Sequence, residues 1–221
     1  MPLIPHSLLF RVTFPCRYLK NIPAEDRDRL LDLPEACRIE SLAAMDERRS
    51  FADLRLAWND FGLGVQLEVR GKDQEPQGSA ARSRSSDGLT LWIDTRDART
   101  SHRASRHCHQ FHFLPTGGGP DGDEPVFSQV KIHRALQDAA LAALAEVPFR
   151  CERIRNGYIL EAFLPAAVLN GFDPEQNPRL GIYYAVRDAE LGEQVLSVGA
   201  DFPYAEDPSL WSVLELVRSA G

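Results

Sequence analysis

The stretch LRLAWNDFGLGVQLEV, residues 54–69, alternates apolar and polar side chains on both sides of a short break. Leu54, Leu56 and Trp58 share one face, and Leu63, Val65, Leu67 and Val69 continue it after a turn near Asn59–Gly62. A period of two is the pleat of a strand, so this segment predicts a β-hairpin with one buried face. The pattern recurs outward along the chain. DGLTLWID (87–94) points Leu89, Leu91 and Ile93 one way and Thr90, Trp92 and Asp94 the other. GYILEAFL (157–164) buries Tyr158, Leu160, Ala162 and Leu164. GIYYAVRD (181–188) buries Ile182, Tyr184 and Val186 and turns Tyr183, Ala185 and Arg187 outward. SLLFRVTF (7–14) sets Leu8, Phe10, Val12 and Phe14 on one face, and WSVLELV (211–217) supplies a last strand.

Helical signals are fewer. PAEDRDRLLDL (23–33) starts on proline with acids in its first turn, which predicts one or two turns. HRALQDAALAALAEV (133–147) is rich in alanine and carries Leu136, Ala140, Ala143, Leu144 and Val147 on one stripe, which predicts a helix. Loops are expected at 71–88 and 115–125, both dense in Gly, Ser, Pro and Asp. Many short strands with one or two short helices predict an all-β fold, an antiparallel β-sandwich. One domain spanning 1–221 is expected, with residues 1–50 as an N-terminal extension packed on it.

Composition narrows the function. A formal net charge of −7 argues against a nucleic-acid partner, whose phosphates call for a broad basic surface. One local exception is the run from Arg82 to Arg106, where Arg82, Arg84, Arg96, Arg99, Arg103 and Arg106 face only Asp87, Asp94 and Asp97. A solvated loop and an anion-binding patch are both open readings of it. Cys16, Cys37, Cys108 and Cys151 form no CxxC pair and are expected as free thiols. The N-terminus lacks a basic leader, and no apolar run is long enough to span a bilayer, so a cytoplasmic protein without a membrane partner is expected.

Histidines crowd into HRASRHCHQFHF, residues 102–113. Phe111 and Phe113 belong to the core by their apolar character, so His107 and His109 share their side while Cys108, Gln110 and His112 point outward. A metal site from His107 and His109, completed by His102 or a distant carboxylate, is one reading, and strand-end histidines bonded to backbone carbonyls are the other. Paired carboxylates at Asp94/Asp97 and Asp121/Asp123 sit in loops, where solvation or Ca²⁺ explains them better than acid–base work. No cofactor is expected, with Zn²⁺ and Ca²⁺ left open. Cys108 and its neighbouring imidazoles diverge along a strand, and no G-x-S-x-G elbow is present, so no nucleophilic site assembles.

Six pieces in order carry a resemblance: ADLRLAWNDFGLGVQLEVRGK, DGLTLWIDTRD, QFHF, NGYILEAFLPAAVL, LGIYYAVRDAELGEQ and EDPSLWSVLEL. Together they resemble the family 9 carbohydrate-binding modules, part of the wider DOMON-like β-sandwiches that bind sugars or haem. The match covers residues 52–217, about three-quarters of the chain. The resemblance implies two tryptophans clamping a sugar ring, at positions held here by Arg84 and Ala205, with Tyr204 beside the latter. It implies polar sugar contacts at a Glu, an Arg and a Gln, where this chain has Thr90, His112 and Ala185. The haem-binding relatives use axial ligands such as Met, and here the only methionines are Met1 and Met45, the latter outside the matched region.

The outward face therefore becomes the expected site. Thr90, Trp92, Gln110, His112, Tyr183 and Arg187 all point away from the core by parity, on the strands that carry the family's sugar contacts. A non-catalytic protein binding a small-molecule or carbohydrate-like ligand there is the reading adopted. A metal-binding protein or metal-dependent enzyme built on 102–112, and a protein-interaction module, are the alternatives.

Overall fold

The computed structural model describes residues 4–24 and 29–218. Among these residues eleven strands form one sheet: β1 Thr13–Tyr18, β2 Ala52–Asn59, β3 Gly62–Arg70, β4 Gly88–Asp94, β5 Cys108–Gly118, β6 Glu124–Val130, β7 Phe149–Ile154, β8 Gly157–Pro165, β9 Arg179–Asp188, β10 Gly192–Val195 and β11 Ser212–Val217. Their order is β6-β5-β4-β9-β11-β1-β2-β3-β8-β7, with β10 paired to β9. The sheet folds over on itself. Its two ends, β6 and β7, meet through rings: Phe149 lies 5.8 Å from Phe113 and 6.1 Å from Phe127. The result is an all-β sandwich made from a nearly closed sheet.

Parity holds along most of the chain. The hairpin pairs Leu56 with Val65 and Asn59 with Gly62, and Leu54, Leu56, Trp58, Leu63, Val65, Leu67 and Val69 are all buried. Leu91, Phe111 and Tyr184 are direct neighbours across β5, β4 and β9 and are buried completely. Gly88 opens β4 at φ 136°, and a Cβ there would collide with the Phe113 carbonyl, so only glycine lets β4 lie this close to β5.

Four sequence expectations need correction. The first strand does not begin at Ser7: residues His6–Leu9 form a 3₁₀ turn, Phe10 is exposed, and β1 runs on through Pro15 to Tyr18. Pro15 is tolerated because β1 pairs there with β11 alone; β2 joins only at Arg17 and Tyr18. Both contacts of β1 are parallel, so the sandwich is not purely antiparallel. Residues 133–147 do not form the expected helix; only Leu144–Glu146 make a 3₁₀ turn. Tertiary partners have taken the backbone groups a helix would use. Leu136 N donates to Ala104 O, Gln129 bonds Ala140 O and Ala142 N, and Arg103 holds the carbonyls of Arg134 and Ala135. An isolated helix of this length is marginal in water, so specific tertiary bonds displace it. The expected loop at 115–125 is shorter, since β5 extends to Gly118 and β6 begins at Glu124.

The expected helix at 23–33 lies partly outside the described residues, at 25–28. On its far side Leu30 and Leu31 donate backbone N–H to the Glu161 carboxylate, and Leu33 N donates to Gln66 Oε1. These bonds lay the segment across β3 and β8, where Leu31, Leu33, Ile22 and Cys37 pack on Ala57 and Phe163 as a second small core.

One ionic cluster pins the other side. Lys72, just after β3, is buried with its ammonium 2.6 Å from Asp188 Oδ2 and 3.4 Å from Asp87 Oδ2. Asp87 also accepts from Gln77 N and Ala189 N, and Asp188 from Glu190 N and Leu191 N. The carboxylates are therefore fully bonded, which is the condition for a buried ion cluster to be tolerated. Lys72→Met should cost about 3–5 kcal/mol in urea denaturation, because it leaves two buried carboxylates without their cation. Adding Asp87→Asn and Asp188→Asn should recover part of that loss.

Candidate functional site

Three rows of side chains make the outward face of β4, β5 and β9. Gln110, Trp92 and Tyr183 are paired across the strands, then His112, Thr90 and Ala185. In the third row Arg187 lies opposite Gly88 on one side and Glu193 of β10 on the other. The face is a floor, and three connections rise around it. Arg84 comes from the 71–88 loop, His133 from the segment after β6, and Tyr204, Ala205 and Glu206 from the turn before β11. They enclose a concavity of about 180 Å³ lined by Thr90, Trp92, Gln110, His112 and Ala185 below, with Arg187 and Glu193 at one side.

Each wall is fixed by its own bonds. In the 71–88 loop, Ser86 Oγ accepts from Ser79 N and Asp87 accepts from Gln77 N, which braces the 3₁₀ turn Ala80–Ser85 that carries Arg84. Tyr204 stacks on Tyr183 at 4.5 Å and meets the Trp92 edge at 5.6 Å. Trp211 Nε1 donates to Tyr204 O at 2.7 Å, and the Tyr183 hydroxyl donates to Val198 O. Glu206 is held by His133 at 2.8 Å, with Arg134 at 3.8 Å.

The floor is polar and uncharged. His112 Nδ1 lies 2.9 Å from Thr90 Oγ1, and its Nε2 lies 3.2 Å from Gln110 Nε2. With the Gln110 amide donating, the ring proton sits on Nδ1 and is given to Thr90, which leaves the Thr90 hydroxyl proton to donate into the concavity. Burial, and then the charge of Arg84, push the His112 pKa down to about 4, so the ring is neutral near pH 7. Charge is confined to the rim. Among the described residues neither Arg84 nor Arg187 forms an ion pair, and both are exposed. Trp92 Nε1 is buried beside the concavity without a hydrogen-bond partner among the described residues.

The structure brings Thr90, Trp92, Gln110, His112 and Arg187 together around this one concavity. Tyr183 is the exception. It points to the expected side of β9, but Tyr204 covers it and it is fully buried, so it supports the site from beneath instead of facing it. Trp92 is likewise a wall with 4% exposure, not an open platform. Glu193, Tyr204, Glu206 and His133 also face the concavity. Tyr204 and Glu206 flank the DPS stretch, a usable signal, whereas His133 lay hidden in a segment read as helix.

The metal candidates do not converge. His109 is buried in the core, stacked on Phe111 at 5.8 Å with Gln129 Nε2 at 3.2 Å from its Nδ1. His107 precedes the strand instead of sharing the His109 face, with Nδ1 3.3 Å from Asn170 O. His102 is exposed and bonded to Asp207 Oδ2 at 3.1 Å. Among the described residues no group of three or more His, Cys, Asp or Glu side chains gathers to hold a metal ion.

Solved structures share this architecture. The chain is similar to a family 9 carbohydrate-binding module from Caldicellulosiruptor kristjanssonii in complex with glucose, at TM-score 0.60 and 13% identity, covering 95% of this chain and 97% of that one. A family 9 module from the same organism in complex with cellotriose gives TM-score 0.58 at 12% identity, covering 95% of each chain. The fold is that of the family 9 carbohydrate-binding modules. No protein-family model matches the sequence, and no curated protein matches it. The family 9 likeness is one of backbone, which leaves the chemistry of the site to this chain's own residues.

Two buried histidines give the fold a pH signature. Burial lowers both His109 and His112 from the ordinary 6.5 to about 4. The unfolded chain therefore binds protons in this window that the native state refuses, so stability is full above pH 6.5 and declines as pH falls toward 4. Each contributes on the order of 3 kcal/mol across the window. Urea denaturation followed from neutral pH downward should show this loss, and His109→Gln should remove about half of its slope.

Proposed function

We propose that this protein is a non-catalytic binding protein that takes a small carbohydrate-like ligand in the concavity on β4, β5 and β9. One observation carries the reading. The family resemblance assigns sugar contacts to five positions, Arg84, Thr90, His112, Ala185 and Ala205, which are scattered over more than a hundred residues, and all five line the same concavity. An apolar wall from Trp92 and Tyr204 beside the Thr90 hydroxyl suits a sugar, which has apolar ring faces and a polar edge. At about 180 Å³ the space is below the range usual for drug-sized ligands, so a single sugar unit is the fitting occupant.

The contents of the site differ from a two-tryptophan clamp. Arg84 and Ala205 offer no ring to stack on, so millimolar glucose or cellobiose should give no heat in calorimetry. A positive test uses a panel of mono- and oligosaccharides, read by amide and indole chemical shifts of the labelled protein. A binder should move the resonances of Thr90, Trp92, Gln110 and Arg187. Ala185→Leu, which extends a side chain from the floor into the concavity, should weaken that binder at least about tenfold. A binder unaffected by Ala185→Leu would place its site elsewhere and overturn the proposal.

A further inference from the structure

The concavity is small, its floor is neutral, and its rim carries Arg84 and Arg187, which have no ion-pair partner among the described residues. Arg84 stands on a braced 3₁₀ turn at one wall, close enough to His112 for its charge to bear on that ring. Arg187 stands on β9 opposite Gly88, the residue that opens β4 after Asp87. The Lys72–Asp87–Asp188 cluster is close to both along the chain, since Asp87 is three residues after Arg84 and Asp188 is one after Arg187. A buried ion cluster therefore anchors the chain next to two exposed arginines that line the same hollow.

Resting on the proposed sugar-binding role, we infer that the ligand is an acidic sugar whose ring carboxylate is held between Arg84 and Arg187. Guanidinium groups match the planar carboxylate in a paired geometry, and such charge-assisted bonds are about twice as strong as neutral ones. The other rim charges select the type of anion. Glu206 is already occupied by His133 and Arg134, whereas Glu193 lies across from Arg187 without an ion pair among the described residues. A carboxylate at this rim repels a dianionic phosphate more than a monoanionic carboxylate, and it accepts hydrogen bonds from sugar hydroxyls. Arg84 thus meets the sugar with charge at a position where the resemblance implies an aromatic ring.

The experiment compares glucuronate and galacturonate with glucose, galactose and glucose 6-phosphate, by calorimetry and chemical shift, on the wild type, Arg84→Gln and Arg187→Gln. Both arginines are exposed, so the variants should fold normally. A uronate should bind at the Thr90–Trp92–Arg187 face at least about tenfold more tightly than its neutral parent, and each arginine variant should lose about tenfold or more. Affinity for the uronate should fall as salt is raised, while a neutral sugar's should not. Uronate and neutral parent binding equally at this face, with no effect of either variant, would overturn the acidic-sugar assignment and leave the sugar-binding role intact. Tighter binding of glucose 6-phosphate would overturn the carboxylate assignment alone. No shift at this face with any of these sugars would overturn the binding role itself and this inference with it.

Discussion

The Lys72 ammonium ties the segment after β3 to the paired ends of β4 and β9. It sits just after β3 and binds Asp188, the last residue of β9, and Asp87, the residue before β4. Its desolvation is severe, and an isolated buried charge would not persist. Two carboxylates with their own backbone donors offset that cost, but only in one geometry. An apolar cluster would tolerate small shifts, whereas this one ties three chain segments to fixed positions. The residues it fixes are the neighbours of Arg84 and Arg187, so the rim of the concavity inherits its rigidity.

A second constraint acts on the opposite end of the same face. β4 and β9 have strands on both sides, and their outward side is not left to water; it is covered by the turn that carries Tyr204. Tyr183, Tyr204 and Trp92 interlock there through one stacked and two edge contacts. The face thereby splits into a sealed aromatic part and an open part over Thr90, His112 and Arg187. The open part is the concavity, and Trp92 and Tyr204 border it on the aromatic side. Its apolar wall and its polar floor are two halves of one row pattern, divided by where the turn ends.

The sequence made the architecture readable where one-sided burial enforces alternation, as in the 54–69 hairpin, β4, β8 and β9. It also placed five of six expected site residues around one hollow, because parity along paired strands decides facing. Parity cannot say what lies on top. Tyr183 faces outward as expected and is still buried, since its cover, Tyr204, comes from a turn much later in the chain. The 133–147 segment misled for a related reason. Its alanine-rich pattern reports intrinsic preference, while Gln129, Arg103 and Ala104 supply specific bonds that preference does not see. The extension of β1 past Phe14 through Pro15 rests on its parallel, one-sided pairing, which the local sequence does not reveal.

The histidines show how burial decides between chemistries that residue type alone leaves open. His109 and His112 sit three positions apart on one strand, on opposite faces, and burial shifts both the same way. Their roles nevertheless separate by their partners. His109 is enclosed by Phe111 and Gln129, and its neutral ring serves as core packing. His112 lies between Thr90 and Gln110, and its neutral ring sets the direction of a hydroxyl that faces the concavity. A protonated His112 would add a third positive charge to those of Arg84 and Arg187 and set a second ring N–H, on Nε2, against the Gln110 amide nitrogen that now donates to it. A neutral ring leaves the floor of the concavity polar and uncharged and confines charge to its rim.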